Sequence, residues 1–564
     1  MRPVRALIVT AALLASGTAS AQRVPPSEGA QEALFQQNCV VCHGNPATRA
    51  PTRASLHAMS PDFIVEALTD GIMRDQGSAL SPEQRVALAE YLTGRKVGAE
   101  AAMAGRCTGT PPPMSLDGPS YNGWGANLQN WRFQPDPGIS AAQLGRLDLK
   151  WAFGFPGVVA VFGQPTVAGG RVFVGTQSGH VYAVDATSGR TVWKVTPNSD
   201  PAVGVTGAPV LFEERLYVPY SGGDDSAAIN PAYECCKGRG AVVALDAATG
   251  ATVWTANTIP EARPQGRNSV GTQLWGPSGV SVWSAPTIDA QRRVLYVGTG
   301  DNHSAPATDT SDAVLALSLD TGKILWSRQL LVGDMGNLSC FTTAKTNCPE
   351  PHGPDYDLGA SANLLTLENG KRLLTIGQKS GMVWALDPDD EGRIVWRARV
   401  GRGGTLGGVQ WGTATDGKRV YAAVSDLKLL GINPITIDAN TGGGLHALAP
   451  DTGTVLWSAP APRACAGRTS CSPAQSAAVT ATPEYVLSGA VDGHIRAYST
   501  ADGKVLWDYD MAKPFTTVNG VEARGGSLDS AGPTIAGGML FVNSGYGLYG
   551  GQAGNVLAAF APRP

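Results

Sequence analysis

The sequence predicts an all-β propeller preceded by a small all-α domain. Three observations carry that prediction: a recurring turn that leads to a tryptophan, an isolated strand ahead of its first copy, and a Cys-x-x-Cys-His motif near the N-terminus. The recurring ending runs Val184-Asp185-Ala186-Thr187-Ser188-Gly189 to Trp193, Leu245-Asp246-Ala247-Ala248-Thr249-Gly250 to Trp254, and Leu319-Asp320-Thr321-Gly322 to Trp326. Later copies reach Trp396, Trp457 and Trp507. Short apolar runs such as Val172-Phe173-Val174-Gly175 and Leu295-Tyr296-Val297-Gly298 precede these turns, so each unit reads as three strands, an Asp/Thr-Gly turn and a fourth strand. Four-stranded units of roughly 40 residues plus insertions, repeated along a chain, are propeller blades.

The last copy, Gly532 to Phe560, lacks both turn and tryptophan, whereas Leu149-Lys150-Trp151-Ala152-Phe153 stands alone before the first copy. The early strand is therefore expected to complete the last blade and close the ring. That count gives seven blades, or eight if an insertion hides one. The 71 glycines serve short strands and tight turns, and the 39 prolines keep strand edges from pairing wrongly.

Ahead of the propeller, Arg2 and Arg5, the apolar run Ala6 to Leu14 and the small-residue site Ala19-Ser20-Ala21 read as an export signal over residues 1–21. The expected location is the periplasm. No later stretch approaches the roughly 20 apolar residues of a membrane span. The nine cysteines suit an oxidising compartment: Cys340 with Cys348 and Cys465 with Cys471 could each close a short loop, while Cys107 has no evident partner. A net charge of −3 over 564 residues argues against nucleic acid or an anionic membrane as partner.

Cys39-Val40-Val41-Cys42-His43 is the attachment sequence for c-type haem: two thiols add across the vinyl groups and the adjoining imidazole takes one axial position of the iron. Met73 is the candidate for the other axial position, with Met59 as its competitor, because it precedes a helical pattern opened by Ser81-Pro82-Glu83 and continued by Val86, Leu88, Ala89 and Leu92. Residues 22–106 are thus expected to form a class I cytochrome c domain, residues 107–119 a proline-rich linker, and residues 120–564 the propeller. Export and haem together predict electron transfer.

With these motifs in place, the chain resembles the pyrroloquinoline quinone (PQQ)-dependent quinohaemoprotein alcohol dehydrogenases over nearly its whole mature length. Trp283 followed by Gly298-Thr299-Gly300-Asp301 matches the tryptophan beneath the quinone and a metal-binding acid of that family. Asp355-Tyr356-Asp357 resembles the setting of its catalytic aspartate, and Gln378-Lys379-Ser380-Gly381 the turn whose basic residue reaches the quinone oxygen. The resemblance further implies an acidic metal ligand from an earlier loop. Glu234 is the family-like position, but its count to Asp246 is one residue too long and two cysteines intervene. Asp224 and Asp225 therefore compete with it, Asp224 preferred. Adjacent Cys235 and Cys236 are similar to the bonded pair that covers the quinone in relatives, although there the pair comes earlier in the chain.

The residue types suit that chemistry in their own right. An ortho-quinone with three carboxylates needs a flat aromatic face, which Trp283 offers, and a divalent cation, for which Asp224, Asp301, Asp355 and Asp357 offer hard oxygens. Ca²⁺ and a lanthanide both fit such a set. Lys379 would donate to the same quinone oxygen, and Asp355 would take the alcohol proton. Gln410-Trp411 divides between cofactor contact and blade packing. Asp185, Asp246 and Asp320 read as turn caps, and His180, His303, His352, His446 and His494 as structural.

The resemblance implies oxidation of secondary hydroxyls, those of polyvinyl alcohol foremost because the haem domain is N-terminal, with an external cytochrome c as acceptor. A dehydrogenase of small alcohols and a non-catalytic propeller scaffold are the alternatives. The insertions Glu261–Ser281, Leu331–Pro354 and Leu427–Gly443 are expected to shape the entrance.

Overall fold

The computed structural model describes residues 28–44, 53–59, 61–69, 73–98, 120–155, 163–176, 179–186, 191–198 and 203–563 apart from 433, 434, 466 and 519. The expected export signal, the linker and Cys107 lie outside the described residues. Among those described, no helix is long and apolar enough to cross a membrane.

The N-terminal domain is helical, with α1 Glu28–Asn38, α2 Val40–His43, α3 Arg53–Ala58, α4 Pro61–Thr69, α5 Arg74–Gly77 and α6 Pro82–Thr93. Ser81 caps α6: its hydroxyl accepts from Gln84 N while Gln84 returns a bond to Ser81 N, and Gly94 ends the helix in the left-handed region at φ 67°. Leu68, Leu88, Ala89 and Leu92 form the core of the domain, against which both Met59 and Met73 pack. Glu66 on α4 ties the domain to the propeller through His180 Nε2 at 2.5 Å and Lys194 Nζ at 3.9 Å.

Seven blades follow among the described residues. Their first strands are Thr166–Ala168, Val210–Phe212, Thr287–Asp289, Asn363–Thr366, Thr413–Thr415, Thr480–Ala481 and Thr534–Ala536. The ring closes as expected: Leu147–Gly154 pairs antiparallel with Val556–Pro562 and supplies the outer strand of the last blade. The repeat earns its residues at the blade junctions. Trp193 packs on Gly250 of the next blade, Trp254 on Gly322, Trp326 on Gly392, Trp396 on Gly453 and Trp457 on Gly503, where a Cβ would meet the indole at 3.0 Å or less. These glycines sit at φ between 68° and 78°, so the turn demands glycine twice over. The indole N–H groups of Trp193, Trp254, Trp396 and Trp457 donate to carbonyls of the following turn at 2.9–3.2 Å. Trp507, with no such turn ahead of it, packs on Tyr509 and Phe560 instead.

The segment just before the first blade is a strap that bonds to the first strand of every blade in turn. Tyr121 bridges Val167, Asn122 exchanges bonds with Leu211, and Leu128 O accepts from Ile288 N. Gln129 O accepts from Leu364 N, Trp131 O from Thr415 N, Arg132 O from Ala481 N, and the Gln134 side chain reaches Ile535 O. Arg132 is the anchor. Fully buried, it donates to Trp124 O, Val479 O, Thr480 Oγ1 and Gln164 Oε1. Replacing it with Ala leaves these acceptors without a donor and a cavity behind, so we expect a loss of about 3 kcal/mol or more. Thermal unfolding of Arg132→Ala against wild type measures this.

Candidate active site

Residues leading into the first strands of blades three, four and five carry the site, while the strap binds further along the same strands. Trp283 precedes Thr287–Asp289, Asp355 and Asp357 precede Asn363–Thr366, and Trp411 precedes Thr413–Thr415; Asp301 and Lys379 follow the second strands of blades three and four. Sequence distance is large, yet one carboxylate oxygen each from Asp301, Asp355 and Asp357 lies within 4.8 Å of the others. Lys379 Nζ donates to Asp355 Oδ1 at 2.7 Å and Asp357 Oδ2 at 2.9 Å, and Asp301 N donates to Asp357 Oδ1 at 2.9 Å.

The aromatic floor is adjacent. Lys379 Nζ stands 5.5 Å from the centroid of Trp283, and Trp411 meets Trp283 edge-on at 4.7 Å. A Cβ on Gly359 would fall 1.8 Å from the Trp283 ring, so the missing side chain lets the indole lie against the backbone. Trp124 of the strap belongs to the same core cluster and supports the pair.

Electrostatics follow from burial. Burial, then the Asp357 and Asp355 charges, hold the Asp301 carboxyl well above the usual carboxylate range. Burial also raises Asp355, with Lys379 opposing it and Asp357 adding to it. Desolvation works against the Lys379 ammonium, but the Asp355 and Asp357 carboxylates outweigh it and keep the amine charged.

Four contributors were not read from the sequence. Asp334 accepts from Asp355 N at 3.1 Å and Tyr356 N at 2.8 Å, fixing the loop in which Asp355 holds φ 60°. Asp312 is fully buried, and neither of its carboxylate oxygens has a hydrogen-bond partner among the described residues. His303, expected to be merely structural, places Nε2 3.9 Å from Asp301 Oδ1. Gly359 is the fourth. No local motif marks the first three, whereas Gly359 closes the Asp-x-Asp-x-Gly run at 355–359.

Two acids of the earlier loop have other partners, whereas the charge of Asp225 acts on Asp355. Asp224 is fully buried and accepts from Tyr233 Oη and Gly238 N, outside the three-carboxylate group. Glu234 is exposed and pairs with Lys237 at 2.8 Å, which holds its carboxyl below the usual range. Cys235 and Cys236 are bonded to each other and buried beside Ala228. Cys340–Cys348 and Cys465–Cys471 are bonded as the spacing suggested. Cys39 and Cys42 stay outside these bridges, and Cys42 N and His43 N both bond to Cys39 O, so one helical turn presents all three haem-motif residues.

Gln410 Oε1 accepts from Ser476 Oγ, which also reaches Asp529 Oδ1, both at 2.9 Å. Burial pushes the Asp529 carboxyl from 3.8 up to about 6 against the bonds from Ser476 and Ser530. A folded-state pKa above the unfolded one adds stability at low pH that is lost as pH rises through that interval. We expect the wild-type unfolding midpoint, relative to that of Asp529→Asn, to fall between about pH 4 and pH 7, as thermal denaturation across pH will read.

The chain is similar to known proteins over most of its length. Residues 148–265, 238–436, 379–526 and 441–562 match the repeat model described as outer membrane protein assembly factor BamB, and residues 28–92 match the model described as cytochrome C oxidase, cbb3-type, subunit III. The chain is 40% identical to a polyvinylalcohol dehydrogenase of Pseudomonas sp over 98% of its own length and 96% of the relative's. It is 35% identical to one of Sphingopyxis sp. over 96% and 94%. The chain belongs to the PQQ-dependent quinohaemoprotein alcohol dehydrogenase family. Among solved structures, a quinohaemoprotein alcohol dehydrogenase of Pseudomonas putida shares the fold at a TM-score of 0.57 and 16% identity, covering 80% of this chain and 84% of that one. A europium-containing methanol dehydrogenase does so at 0.56 and 16%, covering 79% and 99%.

Haem c and PQQ are the cofactors of this quinohaemoprotein. The residues fit both: the Cys39–His43 turn for haem, and a packed indole beside an ammonium and hard carboxylates for a quinone with its cation. Burial and the neighbouring carboxylates hold Asp312 well above the usual carboxylate range, and its oxygens have no hydrogen-bond partner among the described residues, so a multivalent cation close by would favour its charged form.

Proposed function

We propose that this quinohaemoprotein oxidises secondary hydroxyls of polyvinyl alcohol in the periplasm and passes electrons to an external cytochrome c. The observation that carries the reading is the gathering of Lys379, Asp355, Asp357 and Asp301 beside Trp283. The two polyvinylalcohol dehydrogenases that span nearly the whole chain support the substrate. Bound PQQ supplies a two-electron acceptor, and its cation, Ca²⁺ or a lanthanide, supplies Lewis acidity.

The chain's own residues supply the rest. Asp301, Asp355 and Asp357 would hold the cation and Trp283 would support the cofactor, while Trp411 buttresses Trp283. Asp355 accepts the hydroxyl proton; its partly desolvated setting makes it a stronger base than an exposed carboxylate. Lys379 keeps Asp355 aimed and stabilises negative charge that develops beside it. Cys39 and Cys42 would attach the haem, and His43 and Met73 would hold its iron.

The test is reduction of the haem, followed by absorbance, on adding polyvinyl alcohol or a small secondary alcohol to protein loaded with PQQ and Ca²⁺. Reduction by the polymer supports the proposal. Reduction by the small alcohol alone shows a narrower substrate class, and no PQQ-dependent reduction by either sinks it.

A further inference from the structure

Against the turn that carries Lys379 lies an open trench of about 580 Å³. It is lined by Phe341, on the 3₁₀ turn Leu338–Phe341 of the 331–354 insertion, and by Leu429 and Leu430, on the hairpin strand Leu429–Ile432 of the 427–443 insertion. Gly403 and Gly404 form part of the floor. Gly404 N donates to Lys379 O at 3.2 Å, and a Cβ on Gly403 would meet Ser380 O at 2.6 Å, so this floor rests on the turn that aims Lys379 at Asp355.

Resting on the proposed function, we infer that this trench is a subsite for the unreacted stretch of a polymeric substrate, a neutral hydrocarbon chain bearing regular hydroxyls. Phe341 and Leu430 are its specificity-determining residues. Four features select that occupant. Phe341 is 43% and Leu430 61% exposed, an apolar surface a chain of methylenes would cover. Asp426 accepts from Arg402 N, Gly403 N and Gly408 N at 2.8–3.2 Å, so its carboxylate is spent on holding the floor. Arg402 and Lys428, which also line the trench, offer donors to hydroxyl oxygens. The volume matches the range of about 300–1,000 Å³ that encloses drug-sized ligands, far beyond the needs of a two- or three-carbon alcohol.

The experiment titrates polyvinyl alcohol oligomers of graded length into holoenzyme carrying Asp355→Asn, with and without Phe341→Ser plus Leu430→Ser. Val505→Ser, exposed on an outer strand away from the trench, controls for surface change. We expect affinity for long oligomers to fall about tenfold in the double variant. In protein with Asp355 intact, the ratio of kcat/KM for polymer over 2,4-pentanediol falls by a similar factor. Unchanged affinity, a fall no larger than with Val505→Ser, or equal binding of dextran overturns the inference. Because the titration is read on protein that does not turn over, failure of the dehydrogenase reading leaves its result standing.

Discussion

Asp355→Asn is expected to lower alcohol-driven haem reduction by about a hundredfold to ten-thousandfold, the usual worth of a positioned general base. The substitution keeps the size of the side chain and an oxygen for Lys379, and Lys379 retains Asp357 at 2.9 Å. The fold should therefore survive, with an unchanged haem spectrum and an unfolding midpoint close to wild type. Stopped-flow absorbance of PQQ-loaded protein reads the rate. Lys379→Met is the instructive contrast: it strips the ammonium from the buried Asp357 and the half-buried Asp355, so it should reduce stability as well as rate. A near-normal rate in Asp355→Asn would move the base to another residue.

Removing the cation is expected to have the next largest effect. Asp301, Asp355 and Asp357 share a buried space with one ammonium, and Asp312 adds a further buried carboxylate nearby. A cation present at about 100 times its Kd stabilises the folded state by about 2.7 kcal/mol. Chelation should thus lower the unfolding midpoint by several degrees and abolish turnover, and added Ca²⁺ should restore both. Asp301→Asn should behave differently: with one charged oxygen ligand removed, its midpoint is expected to stop responding to Ca²⁺. Equal responses to chelator in wild type and variant would remove the cation from this group of residues.

Much of the architecture was legible because its determinants are local. The Asp/Thr-Gly turn and its tryptophan recur at blade spacing, since every junction needs a glycine in the left-handed region with an indole against it. Ring closure could be read from what the first and last copies lack. The haem motif and the two short disulfide loops are fixed by spacing within a few residues. Trp283, Asp301, Asp355 and Lys379 were picked out one at a time by resemblance, each in a short motif.

Tertiary structure decided what no period or motif encodes. The 121–134 strap, expected to be the plain start of the propeller, bonds to all seven blades because a path across the ring depends on where the blades sit. Asp224 accepts from Tyr233 and Gly238, while Asp334, Asp312 and His303 join the site's surroundings, because a carboxylate's partners depend on how the loops between strands fold. The sequence by itself determined the repeat, its closure and the haem motif, whose causes lie within one turn or strand pair. Only the folded ring decided which acids meet Lys379, because residues far apart in the chain become neighbours through blade geometry alone.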